Sequence, residues 1–528
     1  MVRGNRTVYT LDTEDDSQGN VFIINFFDGV QHETFTGKNL RYHAWDFLHE
    51  IEPATIWAVN AEYDLVNLFG AEWLGKLCTL QYVSSGLMRA SYREAKITFL
   101  DTLRHWPAGV EDMGKAIDLP KLSMPHLGCD CEDCIKYCQR DAEITWIFVD
   151  EMIRRYGDLG LTTIRATLPS MALQLFKKFY KSPLPELPSV IKKFCRLAYF
   201  GGRVEVFKFG KIFGPVNHYD INSLFPSVMR DFDFPNPSTW HETAHPDFSK
   251  EGVFQGWVYV PSAIYPCLPC RSHEILFPYG NLFGTWCYPE IRKLLEDGGR
   301  VAKCKQAVEF EETERPFVEY VDFCYKKRLE ATNQLDKTHF KLLLNSLYGK
   351  FGSHHGLIII YDDKEKDVGT DSKISNVIWS AYTTCYARLK LLDYLRQSEI
   401  FYTDTDSLFT CNNLEVSNEL GKLKLEGIYK EVEFKGNKIY ALDSTYRAKG
   451  VPRKLASDFF RTGRAVYRKP TRFRESRISG DKPANVWFET EKNLRTEYTK
   501  RKILKDGSTE AWKIDDYLKF MINDNGKI

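Results

Sequence analysis

Residues 399–410, EIFYTDTDSLFT, read as a hairpin: an apolar strand, an acidic turn and a second strand. Because side chains alternate along a strand, Asp404 and Asp406 fall on one face. Upstream, residues 216–229, VNHYDINSLFPSVM, run as a strand into a short helix and set Asp220 at the strand end. Three acids at strand ends, with no basic neighbour in sequence, require divalent cations. Between them lies KLLLNSLYGKFG, 341–352, whose spacing places Lys341, Asn345 and Tyr348 on one helical face. A lysine for phosphate and a tyrosine for base or sugar suit a nucleoside-triphosphate site. Taken alone, the same helix reads equally well as amphipathic, with Tyr348 in the core; the flanking acidic strands decide against that.

A second acidic group lies near the N-terminus. Asp12 and Glu14 are two apart in LDTEDD, a strand pattern that points both to one face. Asp64 follows a strand in VNAEYDLVNL, four residues after Asn60. Asp141, in YCQRDAEITW, shares a helix face with Tyr137 one turn before it. Four converging carboxylates repel one another unless a pair of divalent cations compensates them. Two such metals activate water and stabilise a leaving oxygen in phosphodiester cleavage. Singly, each motif is weak, and a solvated strand edge is the commoner origin of a DxE.

The 528 residues suffice for several domains, and 43% hydrophobic with 14% aromatic content excludes wholesale disorder. The longest apolar runs, 21–27 and 357–361, are far short of a membrane span, so no membrane partner is expected. The first residues, MVRGNRTVYTLDTEDD, lack an apolar stretch and do not read as a signal peptide or other targeting signal. Net charge is only +1, yet residues 1–150 carry 13 basic and 23 acidic side chains, leaving the remainder at +11. Residues 441–480 alone hold 11 basic and 3 acidic residues, which suits phosphate binding; a solvated charged face is the plainer reading of charge by itself.

Thirteen irregularly spaced cysteines fit a reducing intracellular compartment. Cys129, Cys131, Cys134 and Cys138, with His126 nearby, have the number of thiolates that zinc takes, although the spacing is unlike paired knuckles. Reduced free thiols are the favoured alternative there and at the lone Cys267–Cys270 pair.

Along the chain, 7–30 predict two strands about a Gly-Asn turn, 56–60 and 95–100 further strands, and 139–156 a helix. Pro-rich KSPLPELPSV, 181–190, is the expected linker. Beyond it, 253–260 and 300–311 read as strands, 288–296 as a helix, and 335–351 and 374–395 as long amphipathic helices. The stretch from about residue 450 has no clear pattern.

The order DINSLFPS, KLLLNSLYGKFG, YTDTDS resembles the three polymerase motifs of family B DNA polymerases, and LDTEDD, NAEYD, YCQRD resemble that family's three proofreading-exonuclease motifs. YFGGR, 199–203, looks like the linker motif between the two domains, and KIY, 438–440, like the motif that contacts the primer. Thr102, Leu103 and Lys121 match additional exonuclease motifs. Together with an exonuclease motif that starts at residue 12, these are most similar to the protein-primed branch of phage, adenovirus and linear-plasmid replicases.

The resemblance implies a multidomain α/β fold. A ribonuclease H-like exonuclease domain, 1–185, would precede a right-hand polymerase. Its parts would be palm at 186–333 and 397–449, fingers at 334–396, and a thumb with the basic C-terminal region at 450–528. It implies two magnesium ions per site, with manganese as the alternative, held by Asp220, Asp406 and supporting Asp404 in one domain and by Asp12, Glu14, Asp64 and Asp141 in the other. Tyr137 and Lys121 would orient the attacking water, and Asn60 and Tyr63 the frayed strand, beside Thr102 and Leu103. Backbone at Ser223 and Leu224, with Lys337 and Lys341, would receive the triphosphate; Phe225, Asn345 and Tyr348 would shape the nucleotide pocket. Tyr199, Gly201, Gly202, Lys438 and Tyr440 would contact DNA.

The implied partners are a DNA primer-template, deoxynucleoside triphosphates and, in the protein-primed branch, a terminal protein, with the polymerase acting as a monomer. Two departures stand out. Phe225 replaces the usual tyrosine, and only 353–373 separate the fingers helices, too short for the full strand-displacing insertion of the phage enzymes but enough for a small hairpin. An insertion contacting the terminal protein is expected somewhere in 231–261. A polymerase primed by nucleic acid, a nuclease with a decayed polymerase half, and a non-catalytic DNA-coating scaffold are the competing readings.

Overall fold

Apolar residues in VFIINFF bury the strand Val21–Phe27 on both faces from Ile23 onward, which places it inside a sheet covered on two sides. The computed structural model describes residues 7–83, 86–126, 128–353, 357–368, 376–495 and 497–525. The expectations for residues 1–6 and for a helix start at Ile374 lie outside these. The first sheet is mixed and nine-stranded. From one edge its strands are Lys364–Asp367, Leu357–Tyr361, Cys78–Val83, Gly86–Tyr92, Ile97–Asp101, Ala54–Ala58, Thr7–Asp15, Val21–Phe27 and His32–Thr36. Only the pairings of Ala54–Ala58 with its two neighbours are parallel. The helix Glu132–Asp158 packs across the Thr7–Asp15 and Val21–Phe27 strands; it begins seven residues before the expected 139.

The outermost two strands at one side of this sheet, Lys364–Asp367 and Leu357–Tyr361, come from the segment between the long helices. The expected small hairpin exists, and its strand Leu357–Tyr361 pairs antiparallel with Cys78–Val83. Ile360 is fully buried in the N-terminal core, which explains why so short an insertion carries the apolar run LIII.

A second, seven-stranded antiparallel sheet forms the expected palm, in the order Thr445–Ala448, Ile439–Leu442, Leu423–Gly436, Gly210–Ile221, Ser407–Thr410, Tyr402–Asp404, Val204–Val206. The helices Gln334–Phe351 and Val377–Leu395 stand beside it. The second of these corrects the amphipathic expectation: every residue from Val377 to Arg388 is buried, because the helix runs through the main core. A helix apolar all round reads from sequence like an amphipathic one wherever threonines and serines interrupt it.

Residues 240–310 supply a separate four-stranded sheet, ordered Trp240–Thr243, Arg300–Phe310, Glu251–Val260, Gly280–Cys287. The C-terminal region, without a clear sequence pattern, forms a hairpin and then a return segment. A hairpin pairs Arg464–Pro470 with Trp487–Asn493; Phe473 and Ala484 within it enter the N-terminal core. The chain then returns to the palm, where the Phe209 amide donates to the Gly507 carbonyl and Tyr279 to Trp512. Among the described residues no helix is long and apolar enough to cross a membrane.

Candidate active sites

Antiparallel register sets Asp220 one strand from the acidic hairpin: Ser407 lies opposite Asp220, and Asp404 opposite Ser407. Strict alternation does not continue through the hairpin, because Thr405 has φ 66° and makes the turn. The Ile221 amide donates to the Asp406 carbonyl at 2.7 Å, which holds the turn against the end of the Asp220 strand. Burial, and then the charge of Asp406, push the Asp220 carboxyl up to about 7. Burial and then Asp404 push Asp406 up to about 6, while Lys341 acts oppositely on both. Asp404 differs: Lys438 Nζ lies 2.9 Å from its Oδ1, and the Tyr402 hydroxyl donates to Oδ2 at 3.3 Å. Among the described residues Asp220 and Asp406 have no such close ion pair, and two clustered carboxylates held above their ordinary range fit divalent cations.

Ser223, in the left-handed region at φ 50°, ends the strand and begins the helix Leu224–Asp231. Arg328, a residue missed in the sequence, donates to Ser223 Oγ at 2.8 Å. Phe225 and Tyr348 meet as stacked rings, 4.4 Å between centroids. Lys337 and Lys341 are exposed on the same helix as Tyr348, and the Asn345 amide bonds back to the Lys341 carbonyl. The linker motif lies behind the acidic turn. Arg388 donates to the Phe200 and Gly201 carbonyls, Arg271 to the Tyr199 carbonyl, and the Thr405 amide to the Arg203 carbonyl. A Cβ on Gly202 would sit 2.7 Å from the Thr405 side chain, so only glycine fits. On the strand edge, Tyr440 packs on Tyr402, and the Lys438 amide donates to the Tyr402 hydroxyl.

In the N-terminal domain Asp12 and Glu14 share a face of their strand, within reach of Asp64 and Asp141. Burial first, then Asp141, pushes Glu14 up to about 8. Asp12 is raised by burial and by Asp141, Glu14 and Asp64 in turn. Burial also raises Asp64, which accepts a hydrogen bond from the Thr13 hydroxyl at 2.8 Å. Asp12 Oδ2 and Asp141 Oδ1 are buried with no protein partner, which is how a carboxylate site built for cations looks without them. Lys121 pairs with Asp141 and its ammonium lies 4.7 Å over the Tyr137 ring. Burial would lower the Lys121 ammonium, but the Asp141 charge outweighs it and holds it above its ordinary value.

Of the remaining candidates, Asn60 is exposed in the left-handed region, its amide held by Asp101, which also accepts from the Leu103 amide. Thr102 is buried beside them. Tyr63 is tied down: its hydroxyl donates to Asp15 at 2.6 Å and accepts from Trp487, while Asn485 holds its carbonyl. Asp15, Asp101 and Asn485 escaped the sequence reading because their roles depend on contacts across the chain. The cysteine group also divides. Cys129, Cys131, Cys134 and His126 gather, whereas Cys138 lies apart, its thiol donating to the Asp12 carbonyl.

The sequence model for DNA polymerase type B, organellar and viral, matches residues 128–431, more than half of the chain. A probable DNA polymerase of Neurospora intermedia is 26% identical over 375 residues, 58% of this chain and 37% of that one. The chain thus spans well under half the length of that relative. The DNA-directed DNA polymerase of Enterobacteria phage PRD1 is 25% identical over 458 residues, 80% of this chain and 79% of that one. The structure superposes on Phi29 DNA polymerase complexed with primer-template DNA with a TM-score of 0.75 at 16% identity, covering 93% of this chain and 100% of that one. The fold is therefore the exonuclease-plus-palm, fingers and thumb architecture expected above. Ordered motifs, matching fold and a family match over most of the catalytic sheet place this chain among the type B DNA polymerases of the organellar and viral group.

Proposed function

We propose that the chain is a template-directed DNA polymerase with a 3′–5′ proofreading exonuclease, copying a viral or plasmid-like genome from a protein primer. The observation that carries it is the register that sets Asp220 beside the Asp406 turn, with Lys341 facing both. The domains run as exonuclease 1–185, palm 186–333 and 397–449, fingers 334–396, and thumb with C-terminal region 450–528. A primer-template and deoxynucleoside triphosphates are the substrates, and the chain works as a monomer inside the host cell.

Asp220 and Asp406 would hold two magnesium ions, with Asp404, already paired with Lys438, in support and fixing the turn. When bound, the ions lower the barrier to primer 3′-hydroxyl attack and stabilise departing pyrophosphate. The amides at Ser223 and Leu224 open a helix, where they would receive triphosphate oxygens. Lys341 and Lys337 neutralise those oxygens from the fingers. Phe225 lies under the sugar, backed by Tyr348. Lys438 and Tyr440 hold the primer end, beside the Tyr199–Gly201–Gly202 linker. In the exonuclease, Asp12, Glu14, Asp64 and Asp141 form the metal site, Lys121 and Tyr137 orient water, and Asn60, Tyr63, Thr102 and Leu103 line the frayed strand.

Full-length protein incubated with a primed template and magnesium should extend it when nucleotides are present and degrade it when they are absent. Degradation alone would leave a nuclease, and neither activity a scaffold. A linear template with and without its terminal protein then tests priming: synthesis from free primers only would replace the protein-primed reading with the nucleic-acid-primed one.

A further inference from the structure

Between the helix ending at Ala116 and the one starting at Glu132, no helix or strand forms among the described residues. Yet this stretch carries Lys121, whose ammonium is held against Asp141 and over Tyr137. Its far end brings four soft donors together. His126 Nε2 lies 2.8 Å from Cys129 Sγ and 3.5 Å from Cys131 Sγ, and Cys129 Sγ lies 3.6 Å from Cys134 Sγ. All four donor atoms fall within 4.8 Å of one another. A tetrahedral zinc with Zn–S near 2.3 Å and Zn–N near 2.0 Å has edges of roughly 3.5–3.8 Å. The Cys131 amide also donates to Cys129 Sγ at 3.4 Å, which fixes that sulfur within the group.

We propose that His126, Cys129, Cys131 and Cys134 bind a structural zinc ion that clamps the Lys121 segment to the base of the helix bearing Tyr137 and Asp141. The chemistry selects the ion: three thiols and one imidazole gathered within 4.8 Å of one another suit zinc over hard, oxygen-seeking magnesium, and two of the separations, 3.5 and 3.6 Å, already match tetrahedral edges while the 2.8 Å His126–Cys129 pair has to open. Four protein ligands leave no open position, so the site is structural. Cys138 is not a ligand; it sits a turn further on, bonded to the Asp12 carbonyl. Cys134 is buried in the first turn of that helix and packs with Ile23 of the sheet. The ion thereby ties an irregular segment to the sheet that carries Asp12 and Glu14. Metal binding supplies the folding energy that this stretch lacks from regular structure.

The test is metal analysis of untagged, full-length protein purified with a reductant, before any assay. Wild type should retain about one zinc per chain, and Cys131→Ser and His126→Ala should each fall below about a tenth of that. His126→Cys, which restores four ligands, and Cys138→Ser, which removes none, should retain it. Cobalt substitution should produce a thiolate charge-transfer band in wild type that Cys131→Ser lacks. Primer extension by Cys131→Ser confirms that the chain has folded. If the proofreading reading also holds, this variant should lose single-strand degradation and His126→Cys should recover it. Zinc content itself does not depend on that reading, so the two failures are separable. No retained zinc in wild type, loss of zinc in Cys138→Ser equal to that in Cys131→Ser, or a Cys129–Cys134 disulfide found by mass spectrometry would each overturn the proposal.

Discussion

The ring of Phe225 lies on that of Tyr348, with planes 21° from parallel. One residue follows the Asp220 strand and the other belongs to the helix Gln334–Phe351, so the stack joins the two halves of the proposed nucleotide pocket. The Tyr348 backbone is fixed in turn by the Ser380 hydroxyl, which donates to its carbonyl at 2.5 Å. In the proposed nucleotide pocket, a ring stacked in this way would exclude a ribose 2′-hydroxyl by bulk. Phe225→Val should raise ribonucleotide incorporation about a hundredfold or more relative to deoxynucleotides, a few kcal/mol at roughly 1.36 kcal/mol per decade. Phe225→Tyr should leave the ratio nearly unchanged. Single-nucleotide incorporation in exonuclease-dead protein measures both; an unchanged ratio in the valine variant would move the gate to Tyr348.

Gly202 stands against the Thr405 turn with no room for a Cβ. Gly202→Ala should displace that turn and slow extension roughly tenfold, since about 1.4 kcal/mol suffices. Thr405→Ala in the same chain removes the two nearest atoms and should recover part of the rate. Single-turnover extension reads both effects, and the rate of exonuclease digestion should stay at the wild-type value. A second change that recovers nothing would count against the contact as the cause.

The carboxylates also make a pH prediction. Asp220 and Asp406 titrate near 7 and 6 in the metal-free fold, above an unfolded value near 4. The folded state therefore holds protons that the unfolded chain has already lost. Their contribution to stability is present below about pH 4 and disappears as pH rises through 6 and 7. Glu14, pushed up to about 8, acts in the same direction. Magnesium should therefore raise the Tm little at about pH 5.5 and clearly more at about pH 8. Asp220→Asn should raise the metal-free Tm at the higher pH while abolishing extension. A magnesium effect equal at both pH values would contradict the account.

Asp12→Ala combined with Asp64→Ala should remove degradation of single strands while primer extension survives, because the two carboxylate groups are built around different sheets, with Asp12 and Glu14 on a strand of one and Asp220 and Asp404 on strands of the other. Degradation persisting in the purified double variant would mean that the N-terminal site is misassigned.

The six acidic and basic motifs were legible because each is local: a strand end, a helix face, a tight turn. The same holds for the strand 253–260 and the helix 288–296, whose periodicity survives in the fold almost to the residue. What escaped was made by distant contacts. LIIIY reads as a strand, but nothing local says that it pairs with Cys78–Val83 of another domain. Phe473 and Ala484 lie in a basic stretch whose apolar residues have no partner nearby in sequence, and they complete the N-terminal core. Asp404 and Asp406 look equivalent in YTDTDS; only the fold brings Lys438 into a close ion pair with the first, while burial and Asp404 raise the second. Likewise four cysteines in ten residues suggest a ligand set, but helix geometry turns Cys138 toward the Asp12 strand and His126 takes its place.

On the proposed function the two carboxylate groups work independently, and Asp406 belongs to synthesis alone. Asp406→Ala protein on a labelled primed template measures it most directly, assayed with nucleotides for extension and without them for degradation. The account predicts no detectable extension and a degradation rate equal to wild type. Extension at the wild-type rate, or loss of both activities in a protein with an unchanged melting curve, would contradict it.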